Sequence, residues 1–243
     1  MTETGLRLGV WAFLGEPRNA AELERSGLDW VVLDGQHGHF DDRAVRETMA
    51  LRRERLVPVL VRVRANDAAL IGRALDAGAD GVIVPLVDTA GQAEAAVVAA
   101  SYPPRGSRSW GPIPGLERIG REGDRPPEPM VVVMVETALG LSAVAEIAAT
   151  PGVDMVLLGP SDLALSLGTT VDELIAADGA DAPLPTLVRA CRDAGAIPAA
   201  FAGTEDRAAG LARLGFDWVV AALDTDLLAS GGRVRERVHR LLG

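Results

Sequence analysis

Apolar and polar positions alternate along the chain in blocks of two kinds. Short, almost continuous apolar runs predict strands that are buried on both faces, as in a parallel sheet. Longer segments rich in Ala, Leu, Glu and Arg, for example residues 68–78 and 89–101, predict helices, and glycine follows several of them where a helix should end. Eight strands are predicted, at residues 6–13, 29–34, 57–63, 80–85, 130–136, 154–159, 196–202 and 217–223.

The same short pattern opens every even-numbered strand: glycine, any residue, aspartate, then apolar residues. The glycines are Gly27, Gly78, Gly152 and Gly215. We expect them to end helices, and the aspartates to cap turns at the amino-terminal end of the sheet. Recurrence on alternate strands favours a closed (β/α)8 TIM barrel. The alternative is an open doubly wound sheet, but no Gly-x-Gly-x-x-Gly follows the first strand.

The longest irregular stretch, residues 102–129, is rich in Pro, Gly and Arg. A loop of this length in a compact domain is usually functional or disordered. It does not have the character of a linker between domains, so residues 1–243 are expected to form a single barrel domain.

The composition narrows the classes of partner. The chain has 243 residues and a net charge of −10, and its basic residues are scattered, so neither nucleic acid nor a membrane is expected as a partner. The amino terminus lacks a signal-peptide pattern, and no apolar run approaches the ~20 residues that span a bilayer. A soluble, cytoplasmic protein is therefore expected. The one cysteine, Cys191, is expected to be a small buried apolar residue.

Lysine is absent from the sequence, and every basic side chain other than histidine is arginine. No side-chain Schiff base can form without lysine. Lysine-dependent aldolase chemistry and the usual pyridoxal-phosphate chemistry are therefore excluded.

Polar side chains follow the second and third predicted strands. Asp34 ends the second strand, and His37 and His39 lie in the loop after it. Arg62 ends the third strand, and Arg64 follows next but one as an expected outer or loop charge. In a barrel these positions meet at the carboxyl ends of the strands, where active sites lie. The alternatives are that Arg62 forms only a salt bridge at the strand end and that the histidines are exposed loop residues.

Two carboxylates follow the fifth and sixth predicted strands. Glu136 comes after an apolar run of six residues, and Asp162 follows the turn at Gly159 and Pro160. An ionised carboxylate at such a depth is costly unless it is paired or bound to a metal. Carboxylate oxygens suit Mg²⁺ or Mn²⁺ and leave positions for water and a chelating substrate. The alternatives are that Glu136 pairs with an arginine and that Asp162 caps the next helix.

Three motifs in this order carry a resemblance to a known family. They are GLDWVVLDGQH, VPLV…SYPPRGSRSWG and VETALGL…GVDMVLLGPSDLALSLG. The chain resembles the metal-dependent (class II) pyruvate aldolases, the family of 4-hydroxy-2-oxoheptanedioate and 2-dehydro-3-deoxyglucarate aldolases that also includes the citrate lyase beta chain. The similarity extends over essentially the whole chain.

The resemblance implies a fold, an assembly and a reaction. The fold would be a (β/α)8 barrel, assembled as a homotrimer or homohexamer with the C-terminal helix exchanged between subunits. The reaction would be the reversible cleavage of a 4-hydroxy-2-oxo acid to pyruvate and an aldehyde, through an enolate stabilised by a divalent metal. The metal would be Mg²⁺ or Mn²⁺, with Co²⁺ as a further option.

Individual residues take their roles from the same resemblance. Glu136 and Asp162 match the metal carboxylates, and Arg62 matches the arginine that contacts the keto or enolate oxygen of pyruvate. The backbone amides of Ser161 and Asp162, in the turn that starts at Gly159, match those that hold the pyruvate carboxylate.

The remaining matches concern the catalytic base. His37 matches the base itself, and Asp34 matches the aspartate that opens its motif. Asp76 matches an aspartate that reaches the histidine of an adjacent subunit. Two departures stand out: Gln36 replaces the usual glutamate beside His37, and Met134 replaces a glutamine that some members carry beside the metal glutamate.

Three alternatives to a pyruvate aldolase remain open at this point. One is a coenzyme A thioester lyase of the citrate lyase beta type. Another is a decarboxylase or other enolate-processing biosynthetic enzyme that uses the same metal site. The third, from a different class, is a catalytically inactive binding subunit, although both metal carboxylates are retained.

Overall fold

The computed structural model describes residues 5–111 and 127–242. Its centre is a closed barrel of eight parallel strands, in which each strand pairs with the next and the last pairs with the first. The (β/α)8 prediction is confirmed, and each strand lies within two residues of its predicted limits. The strands are β1 (Arg7–Ala12), β2 (Trp30–Asp34), β3 (Val59–Arg62), β4 (Gly81–Val84), β5 (Met130–Val135), β6 (Met155–Leu158), β7 (Ile197–Phe201) and β8 (Trp218–Leu223).

Helices surround the barrel. They are α1 (Pro17–Glu22), α2 (Asp42–Leu51), α3 (Ala68–Asp76), α4 (Ala90–Ala100), α5 (Ala138–Ser142), α6 (Val144–Ala148), α7 (Pro160–Leu167), α8 (Val171–Ala176), α9 (Pro183–Ala194), α10 (Glu205–Arg213), α11 (Asp224–Ala229) and α12 (Gly231–Leu242). The two helices quoted from the sequence pattern are α3 and α4. Asp67 and Thr89 cap them, because their side chains accept hydrogen bonds from backbone N–H groups of the first turn.

The barrel interior is filled by large apolar side chains from alternate strand positions. Trp30 and Trp218 lie there with ring centroids 5.3 Å apart. Gly9 leaves room for the indole of Trp30, since a Cβ at this position would overlap the ring. A second apolar layer lies between the strands and the helices and includes Cys191, as expected. Burial raises the pKa of the Cys191 thiol to about 12.

Three glycines of the repeated strand opening, Gly27, Gly78 and Gly215, directly follow the end of a helix as predicted, whereas Gly152 lies in a turn four residues beyond α6. All four have positive φ angles, between 86° and 98°, which only glycine adopts readily. Each ends the connection before an even-numbered strand, at the amino-terminal end of the barrel.

The aspartates of this repeat bind a neighbouring strand, which differs from the turn caps that we expected. Three of the carboxylates accept a hydrogen bond from a backbone N–H of the preceding strand: Asp29 from Leu8 at 2.8 Å, Asp80 from Val59 at 2.9 Å and Asp154 from Val131 at 2.8 Å. In the fourth copy of the repeat, the backbone N–H of Asp217 donates to the carbonyl of Pro198 at 2.9 Å, but Pro198 has no N–H to donate to the Asp217 carboxylate.

Helix α12 is exposed wherever its side chains are described, including Val238 and Leu241. Its exchange between subunits stays a prediction. The loop expected at 102–129 is irregular over 102–111 and 127–129, and its middle lies outside the described residues. No helix within the described ranges is long and apolar enough to cross a membrane.

Candidate active site

A cavity of about 180 Å³ opens at the carboxyl ends of the strands. It contains seven of the residues singled out from the sequence: His37, Arg62, Glu136, Gly159, Pro160, Ser161 and Asp162. Side chains from β2, β3, β5 and β6 therefore converge as the barrel prediction requires. Four apolar side chains complete the lining: Trp11, Phe13, Met134 and Phe201.

Arg62 is fixed in this cavity by Asp34 through a bidentate ion pair. Its Nε donates to Oδ1 at 2.9 Å and its Nη2 donates to Oδ2 at 2.6 Å, and the guanidinium stacks on the Trp11 ring at 4.9 Å. Burial alone would raise the pKa of Asp34. The hydrogen bonds and charge of Arg62, with N–H groups of Trp11 and Gln36, lower that pKa below its ordinary value. Asp34 is fully buried, so it acts on the cavity through the groups that it holds.

Glu136 presents a buried carboxylate to the cavity, with 3% of the residue exposed. Its Oε1 accepts the backbone N–H of Leu86 at 2.8 Å. Leu86 has a positive φ of 55°, a conformation that costs a non-glycine residue about 1–2 kcal/mol. Burial raises the pKa of Glu136, and the nearby charge of Asp162 raises it further. The expected alternative, a hydrogen-bonded pair of Glu136 with an arginine, is not formed within the described part of the chain.

Asp162 lies in the first turn of α7 and does not cap that helix, because the N-cap position is Gly159 and no side chain bonds there. The first intrahelical bond runs from the N–H of Leu163 to the carbonyl of Gly159, at 3.1 Å. The amides of Ser161 and Asp162 precede it, and free N–H groups at a helix start form a ready site for an anion.

A divalent cation fits the two carboxylates. Glu136 and Asp162 both line the cavity, and their mutual repulsion is what a cation between them would relieve. Across the described ranges, no three His, Cys, Asp or Glu side chains are grouped so that they could hold a metal. A metal held here would therefore have these two carboxylates as its ligands from the described residues, and positions would remain for water or substrate, which would suit Mg²⁺ or Mn²⁺.

His37 lines the cavity, whereas His39 does not. The loop that carries them is held at several points. The backbone N–H of His37 donates to Asp34 at 3.2 Å, and that of His39 donates to the carbonyl of Phe13 at 2.8 Å. Gly38 lies too close to the backbone of Asp34 and Phe13 for a larger residue.

Two predicted site residues do not line the cavity: Asp34, which holds Arg62, and Asp76, which lies elsewhere. Asp76 ends α3 and pairs with Arg108 at 2.8 Å. The two departures from the family pattern, Met134 and Gln36, lie in or near the cavity. Met134 lines the cavity, with its sulfur 3.9 Å from Nη1 of Arg62. The Oε1 of Gln36 is buried and accepts no hydrogen bond from the described residues.

Four residues in or beside the cavity were missed in the sequence: Trp11, Phe13, Phe201 and Asp224. The three aromatic residues lie in or directly after apolar strands, so their pattern is that of core residues. Asp224 was overlooked because the end of the eighth strand was taken as apolar. It is 7% exposed, and its Oδ2 accepts the backbone N–H groups of Phe13 and Leu14, both at 3.0 Å. A buried aspartate directly after a barrel strand, as with Asp34, was the available signal.

Known proteins resemble this chain over nearly all of its length. A family model described as HpcH/HpaI aldolase/citrate lyase matches residues 7–231. A 4-hydroxy-2-oxovalerate aldolase from Rhodococcus jostii (strain RHA1) is 36% identical over 238 residues, covering 94% of this chain and 90% of that protein. A hydroxypyruvate/pyruvate aldolase from Deinococcus radiodurans is 35% identical over 240 residues, covering 93% and 83%.

A solved structure shows the same relationship. A HpcH/HpaI aldolase/citrate lyase family protein from Burkholderia cenocepacia J2315 is 29% identical, has a TM-score of 0.84, and covers 98% of this chain and 96% of its own. The fold, the convergence of polar residues at the barrel mouth and these relatives agree. The chain belongs to the HpcH/HpaI aldolase/citrate lyase family.

Proposed function

We propose that this enzyme cleaves a 4-hydroxy-2-oxo acid reversibly to pyruvate and an aldehyde, with a divalent metal held by Glu136 and Asp162. The observation that carries the proposal is the convergence of these two carboxylates, Arg62 and the start of α7 on one small cavity. Relatives whose names describe aldolases of small 2-oxo acids support it.

The pyruvate half of the substrate has a chemically suitable partner for each of its oxygens. Its carboxylate would accept hydrogen bonds from the amides of Ser161 and Asp162, at the positive end of α7. Arg62 uses Nε and Nη2 for Asp34, while Nη1 has only the sulfur of Met134 beside it within the described structure. Nη1 would donate to the keto oxygen, where negative charge develops during cleavage.

The bound metal would supply a Lewis acid for the 2-oxo acid. The carboxylates of Glu136 and Asp162 would hold it, and Mg²⁺, Mn²⁺ and Co²⁺ are all candidates. The fixed charge of Arg62 and the bound metal would together take the role of the imine that a chain without lysine cannot form.

His37 is our candidate for the general base. In the cleavage direction a base must take the proton from the C4 hydroxyl, and imidazole titrates near neutral pH. Asp76 lies outside the cavity of its own chain and would orient the histidine of a neighbouring subunit in a trimer or hexamer.

Cleavage of a coenzyme A thioester and decarboxylation of a related acid are the competing reactions on this site. The cavity volume of about 180 Å³ accommodates a small 2-oxo acid, and a thioester would have to extend beyond the described lining. A decarboxylase would need the same residues, so only the products separate it from an aldolase.

The test is pyruvate release from a panel of 4-hydroxy-2-oxo acids, followed with lactate dehydrogenase and NADH, with Mg²⁺ or with EDTA. We expect metal-dependent release that Glu136→Ala abolishes. The control is Glu94→Ala, which removes an exposed carboxylate on α4 and should leave the rate unchanged. Pyruvate release that EDTA does not reduce, or release of carbon dioxide without an aldehyde, would contradict the proposal.

A further inference from the structure

One side of the cavity is a wall of aromatic side chains. Trp11, Phe13 and Phe201 come from the ends of β1 and β7. The Trp11 and Phe201 rings meet edge to face at 5.3 Å, and the Trp11 and Phe13 centroids are 6.4 Å apart. All three pack against the apolar barrel interior, and both phenylalanines are partly exposed. This aromatic wall therefore packs against the barrel interior on one side and faces the cavity on the other.

The backbone of Phe13 is fixed on both sides. Its N–H donates to the buried carboxylate of Asp224 at 3.0 Å, and its carbonyl accepts the N–H of His39 at 2.8 Å. A backbone held on both sides in this way needs little ordering when a ligand binds, which favours affinity for whatever lies against the ring.

The charges of the cavity oppose a second carboxylate on the substrate. Arg62 is the only arginine in the lining formed by the described residues, and Asp34 already neutralises it. Glu136 and Asp162 add negative charge. The proposed divalent cation would offset these two charges, but a carboxylate beyond the one bound at α7 would find no free arginine in the described lining and would lie against an apolar ring. Burying such an unpaired charge is expensive.

We propose that the aldehyde partner is uncharged and apolar, with its short chain against Phe13 and Phe201. The inference rests on the proposed aldol reaction and specifies its second substrate. Each methylene that the wall covers should raise kcat/KM about fourfold, the equivalent of the transfer of one buried CH₂.

Three aldehydes built on the same four-carbon chain test the charge. The unmodified enzyme with Mg²⁺ and pyruvate is given butanal, succinic semialdehyde or the methyl ester of succinic semialdehyde, and the 4-hydroxy-2-oxo acid product is measured by mass spectrometry. We expect kcat/KM for butanal and for the ester to exceed that for succinic semialdehyde at least tenfold. Equal or better use of succinic semialdehyde overturns this inference and leaves the aldolase proposal standing. Absence of product with all three overturns both.

Two variants test the wall. Phe201→Arg should raise the ratio of kcat/KM for succinic semialdehyde to that for butanal at least tenfold. Its control, Leu56→Arg, places the same charge on an exposed residue before β3, outside the cavity, and should leave the ratio unchanged. An unchanged ratio in folded Phe201→Arg contradicts the proposal.

Phe201→Ala covers the case in which the arginine variant does not fold. It should lower kcat/KM for butanal about tenfold and leave KM for pyruvate close to its original value. An unchanged kcat/KM for butanal in this variant contradicts the proposal.

Discussion

Asp34 and Arg62 share two hydrogen bonds, of 2.9 and 2.6 Å, although their side chains come from adjacent strands and are almost entirely buried. Removing one partner would leave the other charge buried without compensation. We expect Asp34→Ala to lower the free energy of unfolding by ~3–5 kcal/mol in urea denaturation. It should also lower kcat/KM, because Arg62 loses its fixed orientation. Full stability in this variant would show that the pair is not an essential unit.

The pH dependence of the same variant gives a second check. The folded-state pKa of Asp34 lies below its ordinary value. Its contribution to stability is therefore complete above the unfolded-state pKa and disappears as the pH falls through the folded-state pKa. The difference in unfolding free energy between the parent and Asp34→Ala should be constant near neutral pH and shrink only in acid. A difference that shrinks above pH ~5 would contradict the lowered pKa.

Gly159 lies against the carboxylate of Glu136, and a Cβ there would be 2.5 Å from Oε2. Gly159→Ala must displace Glu136 or the start of α7. We expect a destabilisation of ~1–3 kcal/mol and at least a tenfold loss of metal-dependent activity. The control is Gly72→Ala within α3, where nothing lies within 4 Å of the new methyl group, and it should stabilise by ~0.5–1 kcal/mol. Equal changes in stability and in metal-dependent activity in the two variants would contradict this explanation.

The buried carboxylate of Glu136 lowers the stability of the folded protein when no metal is bound. Because burial raises its pKa in the folded state, its ionised form at neutral pH destabilises the fold. We expect Glu136→Gln to raise the Tm measured in EDTA and to remove the further rise that Mg²⁺ gives the parent. A lower Tm in EDTA, or an undiminished response to Mg²⁺, would contradict this account.

The repeated aspartates offer a matched comparison at the opposite end of the barrel. Asp154→Ala removes the acceptor for the N–H of Val131 and should cost about 1 kcal/mol. Asp217→Ala should cost less, since Pro198 has no N–H and the pair of Asp217 with Arg192 is long, at 3.8 Å, and partly exposed. Urea denaturation measures the free energy of unfolding of both variants. Equal decreases in the two variants would contradict this difference between Asp154 and Asp217.

The strands were predictable because a barrel strand is buried on both faces, which leaves continuous apolar runs. The polar half of the site was predictable for a related reason. Arg62 and Glu136 are charged residues directly after such runs, and only a function or a specific partner keeps a charge there. For Arg62 the sequence left a choice between a salt bridge and a role in the site. The structure shows that it forms the salt bridge and also lines the cavity.

The aromatic half of the site could not be predicted in this way. Phe13 and Phe201 differ from core phenylalanines only in their height along the barrel, which depends on the tilt and register of the strands. The hydrogen bond from the N–H of Phe13 to Asp224 joins residues 211 positions apart, so no local pattern contains it. Spatial proximity across the closure between β8 and β1 creates both features.

The closure between β8 and β1 also makes β7, β8 and β1 one continuous arc of the barrel mouth, beside another arc formed by β2 to β6. The groups proposed for metal and pyruvate lie on β2 to β6, while the aromatic wall and its support lie on β7, β8 and β1. Reaction type and choice of aldehyde would then be encoded in separate, contiguous parts of one ring. Substitutions in the arc of β7, β8 and β1 could move the enzyme between aldehydes while the arc of β2 to β6 keeps the same chemistry, so one scaffold could diversify without rebuilding its reaction centre.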